Sequence, residues 1–307
     1  MGAFADSRGI NGSDLISALH LSQQAPAILG HDPSNTTSTA SSSADTAEEY
    51  GRTEQLFLAC LRTGDDLSAQ ACLDRLSSRF GASNERVMGL RGLYQEATAK
   101  DTSALEKCLK EYETILGDNP VNVPILKRRV ALLRSLHRPA DAIAALIQLL
   151  DAIPTDAEAW CELADLYQSQ GLGAQAIFSL EEALLIAPNA WNIHARLGEV
   201  LYINTSSPDG AQLASKSIQH FCRSIELCDD YLRGFYGLAL ASSRMLENDF
   251  QHAAAIPKTT LDRLQRFSLQ RLQEIVQSRS IDDQHWASSR SELIAAKALL
   301  NRLQSTQ

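Results

Sequence analysis

His220, Cys222 and Cys228 are the closest group of soft metal ligands in the sequence, and their spacing argues against a metal. On a helix, residues two apart point to different sides, whereas zinc needs ligands that converge. The six cysteines, at 60, 72, 108, 161, 222 and 228, form no C-x-x-C pair. At small or apolar positions a reduced thiol packs as a small hydrophobe, and free thiols suit a reducing compartment. For acid–base work the chain offers Glu181–Glu182 and Asp229–Asp230, but adjacent helical residues diverge and read as solvated surface. The sequence contains no Walker-type loop, no G-x-G-x-x-G after a strand, no G-x-S-x-G and no H-E-x-x-H. These residues point to a chain with no catalytic, metal or cofactor site. What recurs instead is a set of charged and amide side chains at even intervals. They are Lys127, Arg128 and Arg134, then Glu158, Asp165 and Gln168, then Asn192, Arg196 and Glu199. Groups of this kind orient a partner chain and raise its association rate; they do not react with it.

The elements that position them follow a 34-residue frame. Its clearest copy runs Trp160, Leu163, Ala164 and Tyr167, then Ala176, Leu180, Ala183 and Pro188. That is the tetratricopeptide spacing, W-x2-L-G-x2-Y…A-x3-F…P, with Ala164 for the glycine and Leu180 for the phenylalanine. One interval earlier lie Leu126, Val130 and Leu133, then Ala142, Leu146, Leu149 and Pro154; before these come Cys108, Tyr112, Ile115 and Pro120. Proline lacks a backbone donor and clashes with the preceding turn, so each one closes a helix hairpin. Further on, His194, Leu197, Gly198 and Leu201 fit a first helix, with His194 in the tryptophan place. The second helix, Ser217, Phe221 and Ser224, arrives seven residues late after the turn cluster 204–210. Phe235, Leu238, Ala239 and Ser242 begin another unit. Leu56, Phe57, Cys60, Ala69, Leu73 and Leu76, closed by Gly81, form a weaker early copy. Four to six repeats result, the end ones atypical. The expected fold is all-α, a right-handed tetratricopeptide-repeat solenoid with additional capping helices at both ends. Repeat positions 2, 5, 9 and 12 of each first helix should line its concave face, which selects most of the charged set above.

Domain limits follow from composition. Residues 1–32 hold a short helix with Leu15, Ile16, Leu19, Ile28 and Leu29 as anchors. Residues 33–47 are Ser/Thr-rich and should be a disordered loop, since they bury too little to offset ordering. The repeats occupy 48–250, and 257–307 should supply capping helices, the last running from about Asp283 to Leu303 with Trp286 on it. A formal net charge of −9 disfavours a nucleic-acid partner. No apolar run reaches 18 residues, and the first residues do not form a secretory signal, so any membrane association is expected to run through partners.

The run 156–167, followed by 176–182 and Ala187-Pro188-Asn189, resembles the family of subunit 2 of the endoplasmic reticulum membrane protein complex. Lys127-Arg128-Arg129 and Arg233-Gly-Phe235-Tyr-Gly237-Leu238 carry the resemblance further. It implies a non-catalytic scaffold on the cytoplasmic face of the endoplasmic reticulum membrane, peripheral to it. It also implies partners: cytosolic parts of subunits 3 and 5 and a globular subunit of the 8/9 type, in an assembly that inserts tail-anchored and multi-pass proteins. The alternative is a free-standing co-chaperone or adaptor that binds peptide tails. Against it, a two-carboxylate clamp would need Asn where Ala131 and Glu162 stand.

Overall fold

A computed structural model of the chain describes residues 13–30, 43–206, 210–247, 256–281 and 290–304. Among the described residues there are 15 α-helices and one short 3-10 turn. Their order reproduces the hairpin frame, and the chain is an all-α protein of the tetratricopeptide-repeat class. Its contacts divide into two compact units, 1–145 and 146–307, with the border inside one helix, α8 (Pro139–Ala152).

In the first unit α1 (Ser13–Gln23) and α2 (Ala25–Gly30) precede α3 (Ser43–Thr63) and α4 (Asp66–Phe80). Then follow α5 (Glu85–Ala97), α6 (Thr102–Asp118) and α7 (Val123–Ser135). Side-chain caps start four of these helices: Asp65, Asn84, Asp101 and Asn122 each accept from a backbone N–H of the first turn. The weak early repeat is real. Leu56, Phe57, Cys60, Ala69, Cys72, Leu73 and Leu76 form one buried cluster with Val87 and Leu90. Close approach inside the unit depends on α5, where a Cβ at Gly92 would lie 2.3 Å from the Tyr112 hydroxyl and one at Gly89 2.8 Å from Pro124.

Two expectations change here. Helix α3 reaches back to Ser43, into the segment expected to be loop through 47. Residues 31–42 lie outside the described residues. On α1 the anchors are not the large side chains: Leu15 and Ile16 are each 62% exposed, while Ala18 and Ser22 are buried. Small residues let α1 lie close on α3, where Thr63 donates to Ser22 Oγ at 2.9 Å.

The second unit holds α9 (Ala157–Ser169), α10 (Gly173–Ile186), α11 (Trp191–Ile203), α12 (Gly210–Leu227) and α13 (Leu232–Glu247). Helices α14 (Lys258–Ile281) and α15 (Arg290–Gln304) complete it. Ala164, Ala176, Leu180 and Ala183 pack with Ile193, Leu197, Val200 and Leu201, so the hairpin α9–α10 buries its apolar face on α11. Helix α12 lies against α11 through small groups. Ser217 donates to Gly198 O at 2.8 Å and Ser224 to Trp191 O at 2.7 Å. The late start of α12 is absorbed by the turn Asn204–Ser206, and Asn204 Nδ2 donates to Val200 O at 2.7 Å. Leu272, Ile275 and Val276 of α14, with Leu293, Leu299 and Leu300 of α15, cover Leu232, Phe235 and Ala239 of α13. Helix α15 is described from Arg290 onward; the stretch from 283 to 289 expected to open it, with Trp286, lies outside the described residues.

Candidate partner-binding surface

The first helices of the second unit present their polar positions in a line of ion pairs. Asp165 on α9 and Glu199 on α11 occupy repeat position 9 in successive units. Between them, Arg196 donates from Nη2 to Asp165 Oδ1 at 2.8 Å and from Nη1 to Glu199 Oε2 at 3.0 Å. Arg233 on α13, 34 residues after Glu199, donates to Glu199 Oε1 at 2.9 Å. The four residues form an alternating ladder, carboxylate, guanidinium, carboxylate, guanidinium, across three neighbouring hairpins. Burial works against the charge of Arg196, but Glu199 and Asp165 outweigh it and raise its pKa. Arg233 is raised in the same way, with Glu199 the chief opponent of its burial. On the same face, burial, then the charges of Asp165 and Glu158, pushes the Cys161 thiol up to about 11, so it stays protonated and packs as a small group.

The structure therefore brings together three residues of the sequence set, Asp165, Arg196 and Glu199, and adds Arg233. The missed residue had a signal, opposite charge one repeat interval from Glu199. Glu158 and Asn192 are exposed at position 2 of α9 and α11 and stand outside the ladder. Gln168 is half-buried, and its Oε1 atom has no hydrogen-bond partner among the described residues.

The other basic residues of the set lie in the first unit, on α7. Lys127 and Arg134 are exposed. Arg128 turns inward to a different task. It pairs with Glu96 of α5, donating from Nε to Oε1 at 3.0 Å, and Tyr112 of α6 donates to the same oxygen at 2.6 Å. Side-chain exposure is 26% for Arg128 and 12% for Glu96, which makes the group a brace between three helices. Desolvation, then the hydrogen bond to Glu96, pushes the Tyr112 phenol pKa up.

His220, Cys222 and Cys228 do not converge. The His220 ring meets His194, Nδ1 to Nδ1, at 3.0 Å, while Cys228 Sγ lies 3.2 Å from Asp230 Oδ1. The exposed acidic pair Asp229–Asp230 has a structural use through its backbone: Arg271 and Arg279 of α14 donate to the carbonyls of Asp229 and Asp230.

Residues 80–215 match the family model described as the EMC2 TPR-like repeat domain. The ER membrane protein complex subunit 2 of Xenopus tropicalis is 30% identical over 254 residues, 83% of this chain and 81% of that protein. The chain belongs to the family of ER membrane protein complex subunit 2. The TPR repeat protein oca3 of Schizosaccharomyces pombe is 38% identical over 194 residues, 63% of this chain. That match spans 66% of the yeast protein, just under two thirds of its length. Among solved structures, the C-terminal part of a TPR repeat-containing protein from Cytophaga hutchinsonii superposes with a TM-score of 0.51. It covers 86% of this chain and 93% of that one at 11% identity, a likeness of fold alone. No helix among the described residues is long and apolar enough to cross a membrane.

Proposed function

We propose that the chain is a non-catalytic scaffold subunit of the endoplasmic reticulum membrane protein complex, peripheral on the cytoplasmic face of that membrane. The observation that carries the reading is the family match over 83% of the chain. In this reading the first-helix faces hold cytosolic segments of the membrane-embedded subunits 3 and 5, and a globular subunit of the 8/9 type docks beside them. The assembly inserts tail-anchored and multi-pass proteins. The geometry is consistent with holding: the ladder residues satisfy one another and fix the spacing of three hairpins. Exposed groups beside them, Glu158 and Asn192, remain to meet a partner.

Extraction in mild detergent followed by native gel filtration tests this. The expected result is co-migration with integral membrane proteins; migration as a lone species would favour the co-chaperone alternative. Replacing Glu158 and Asn192 together by Gln and Ala should weaken that co-migration while lowering stability by no more than about 1 kcal/mol, because neither side chain belongs to the ladder or the core and Glu158 gives up only a favourable charge in the first turn of α9. Full retention of partners would remove this face from the interface.

A further inference from the structure

At one end of the second unit a cavity of about 450 Å3 opens between Tyr202 of α11, Ser243, Arg244 and Glu247 of α13, and Arg302 of α15. The guanidinium of Arg244 lies 5.1 Å over the ring of Tyr202. Arg244 is half-buried, yet among the described residues it takes part in no hydrogen bond or ion pair. Arg196 and Arg279, half-buried in the same unit, both have oxygen partners. Nor does Arg244 pair with Glu247, which follows it by three residues on the same helix and is exposed. The Tyr202 hydroxyl is likewise without a hydrogen bond among the described residues. Ser243 only shapes the wall, since its hydroxyl donates to Ala239 O and accepts from Gln265 Nε2, each at 2.8 Å.

A guanidinium carries five N–H donors, and those of Arg244 face the cavity, where no acceptor of the described residues meets them and an entering acceptor can. The ring face of Tyr202 supports the cation but accepts none of those protons. What the fork fits is a planar anion that takes two parallel hydrogen bonds, a carboxylate. We propose that this cavity binds a carboxylate of a partner polypeptide, gripped by the Arg244 fork with the Tyr202 hydroxyl as a third donor. The volume admits the carboxylate and a few neighbouring groups, near the lower end of ligand sites. The inference draws on the scaffold reading only for the chain that brings the carboxylate, which can come from an Asp or Glu side chain or from a chain terminus.

The test uses the full chain and fluorescein-labelled Gly/Ser peptides in an anisotropy titration at low salt. One peptide carries an internal Asp-Glu with an amidated end, one a free terminal carboxylate and no acidic residue, and one neither. Either or both of the first two should bind at least about tenfold tighter than the third, and the tighter of them identifies the source. Arg244→Met should remove about tenfold or more of that affinity, Tyr202→Phe should remove less, and Arg244→Lys should fall between wild type and Arg244→Met. Circular dichroism melts check that each variant is folded, and Tyr202→Phe keeps the ring that Arg244 rests on. Equal binding of all three peptides, no binding of any, or wild-type affinity in Arg244→Met overturns the proposal. Co-migration with membrane proteins is scored separately: its loss with peptide binding intact strikes the scaffold reading and leaves this one standing.

Discussion

At the scale of single residues, the imidazole of His194 shows how one repeat position can change type and keep its bond. Trp160 Nε1 donates to Pro154 O at 2.9 Å, and one repeat later His194 Nε2 meets Pro188 O at 3.1 Å. The proline carbonyl can only accept, so His194 carries its proton on Nε2 and offers the lone pair of Nδ1. The facing Nδ1 of His220 must then be the donor. Burial, then the charges of His194 and Lys216, lowers the His220 pKa from 6.5 to about 4. The unfolded chain takes up this proton near pH 6.5, whereas the folded ring refuses it until about pH 4, so between those values the unfolded state binds more protons. The stability due to this pair is full above pH 6.5 and is lost as pH falls toward 4. The slope is at most about 1.4 kcal/mol per pH unit, reduced where water reaches the rings. Thermal melts between pH 7.5 and 5 should show His220→Leu losing less stability than the native chain; parallel curves would remove the pair from the acid response.

At the scale of elements, the hairpins are held by what is missing from their surfaces. A Cβ on Gly237 would sit 2.2 Å from the ring of Phe221, and one on Gly198 would sit 3.0 Å from it. Phe221 is 1% exposed, so its ring has little room to move. Alanine in a helix gains up to about 1 kcal/mol over glycine, while overpacking costs about 1–3 kcal/mol. Gly237→Ala should therefore lower stability to urea by about 1–2 kcal/mol, and Gly198→Ala should come out near zero; the reverse order would contradict the packing of α11 and α13 on α12. Much of this level is legible in the sequence, because prolines at one interval and small residues at 164, 176 and 183 act within a single hairpin. Less legible is the turn at His137, which adopts φ 56° at the place where Gly171 adopts 74° one interval later. Nothing local in the sequence announces a left-handed histidine.

At the scale of the molecule, the border between the two units falls within α8, so a break in that helix reaches residues of both. Ala142 and Ala145 on one side and Leu146 and Leu149 on the other are all buried. Proline at the exposed Ala144 removes a helical hydrogen bond and should cost about 3 kcal/mol, against about 1 for glycine there. Urea titration with probes in each unit should find both units weakened by Ala144→Pro; a loss confined to one would show that α8 does not couple them. The candidate surface is only half readable from sequence. Asp165 and Glu199 follow from their repeat position, and Arg233 follows from the interval. Arg128 does not, because its brace partners Glu96 and Tyr112 lie 32 and 16 residues earlier, neither of them the 34-residue interval. The Arg244–Tyr202 contact joins two helices across a separation that repeat arithmetic does not mark. The ladder from Asp165 to Arg233 has one more effect, on the history of the chain. Loss of any link strands a neighbour of opposite sign, so positions 165 and 196, and likewise 199 and 233, are expected to drift in tandem across related species, exchanging sign or turning neutral together.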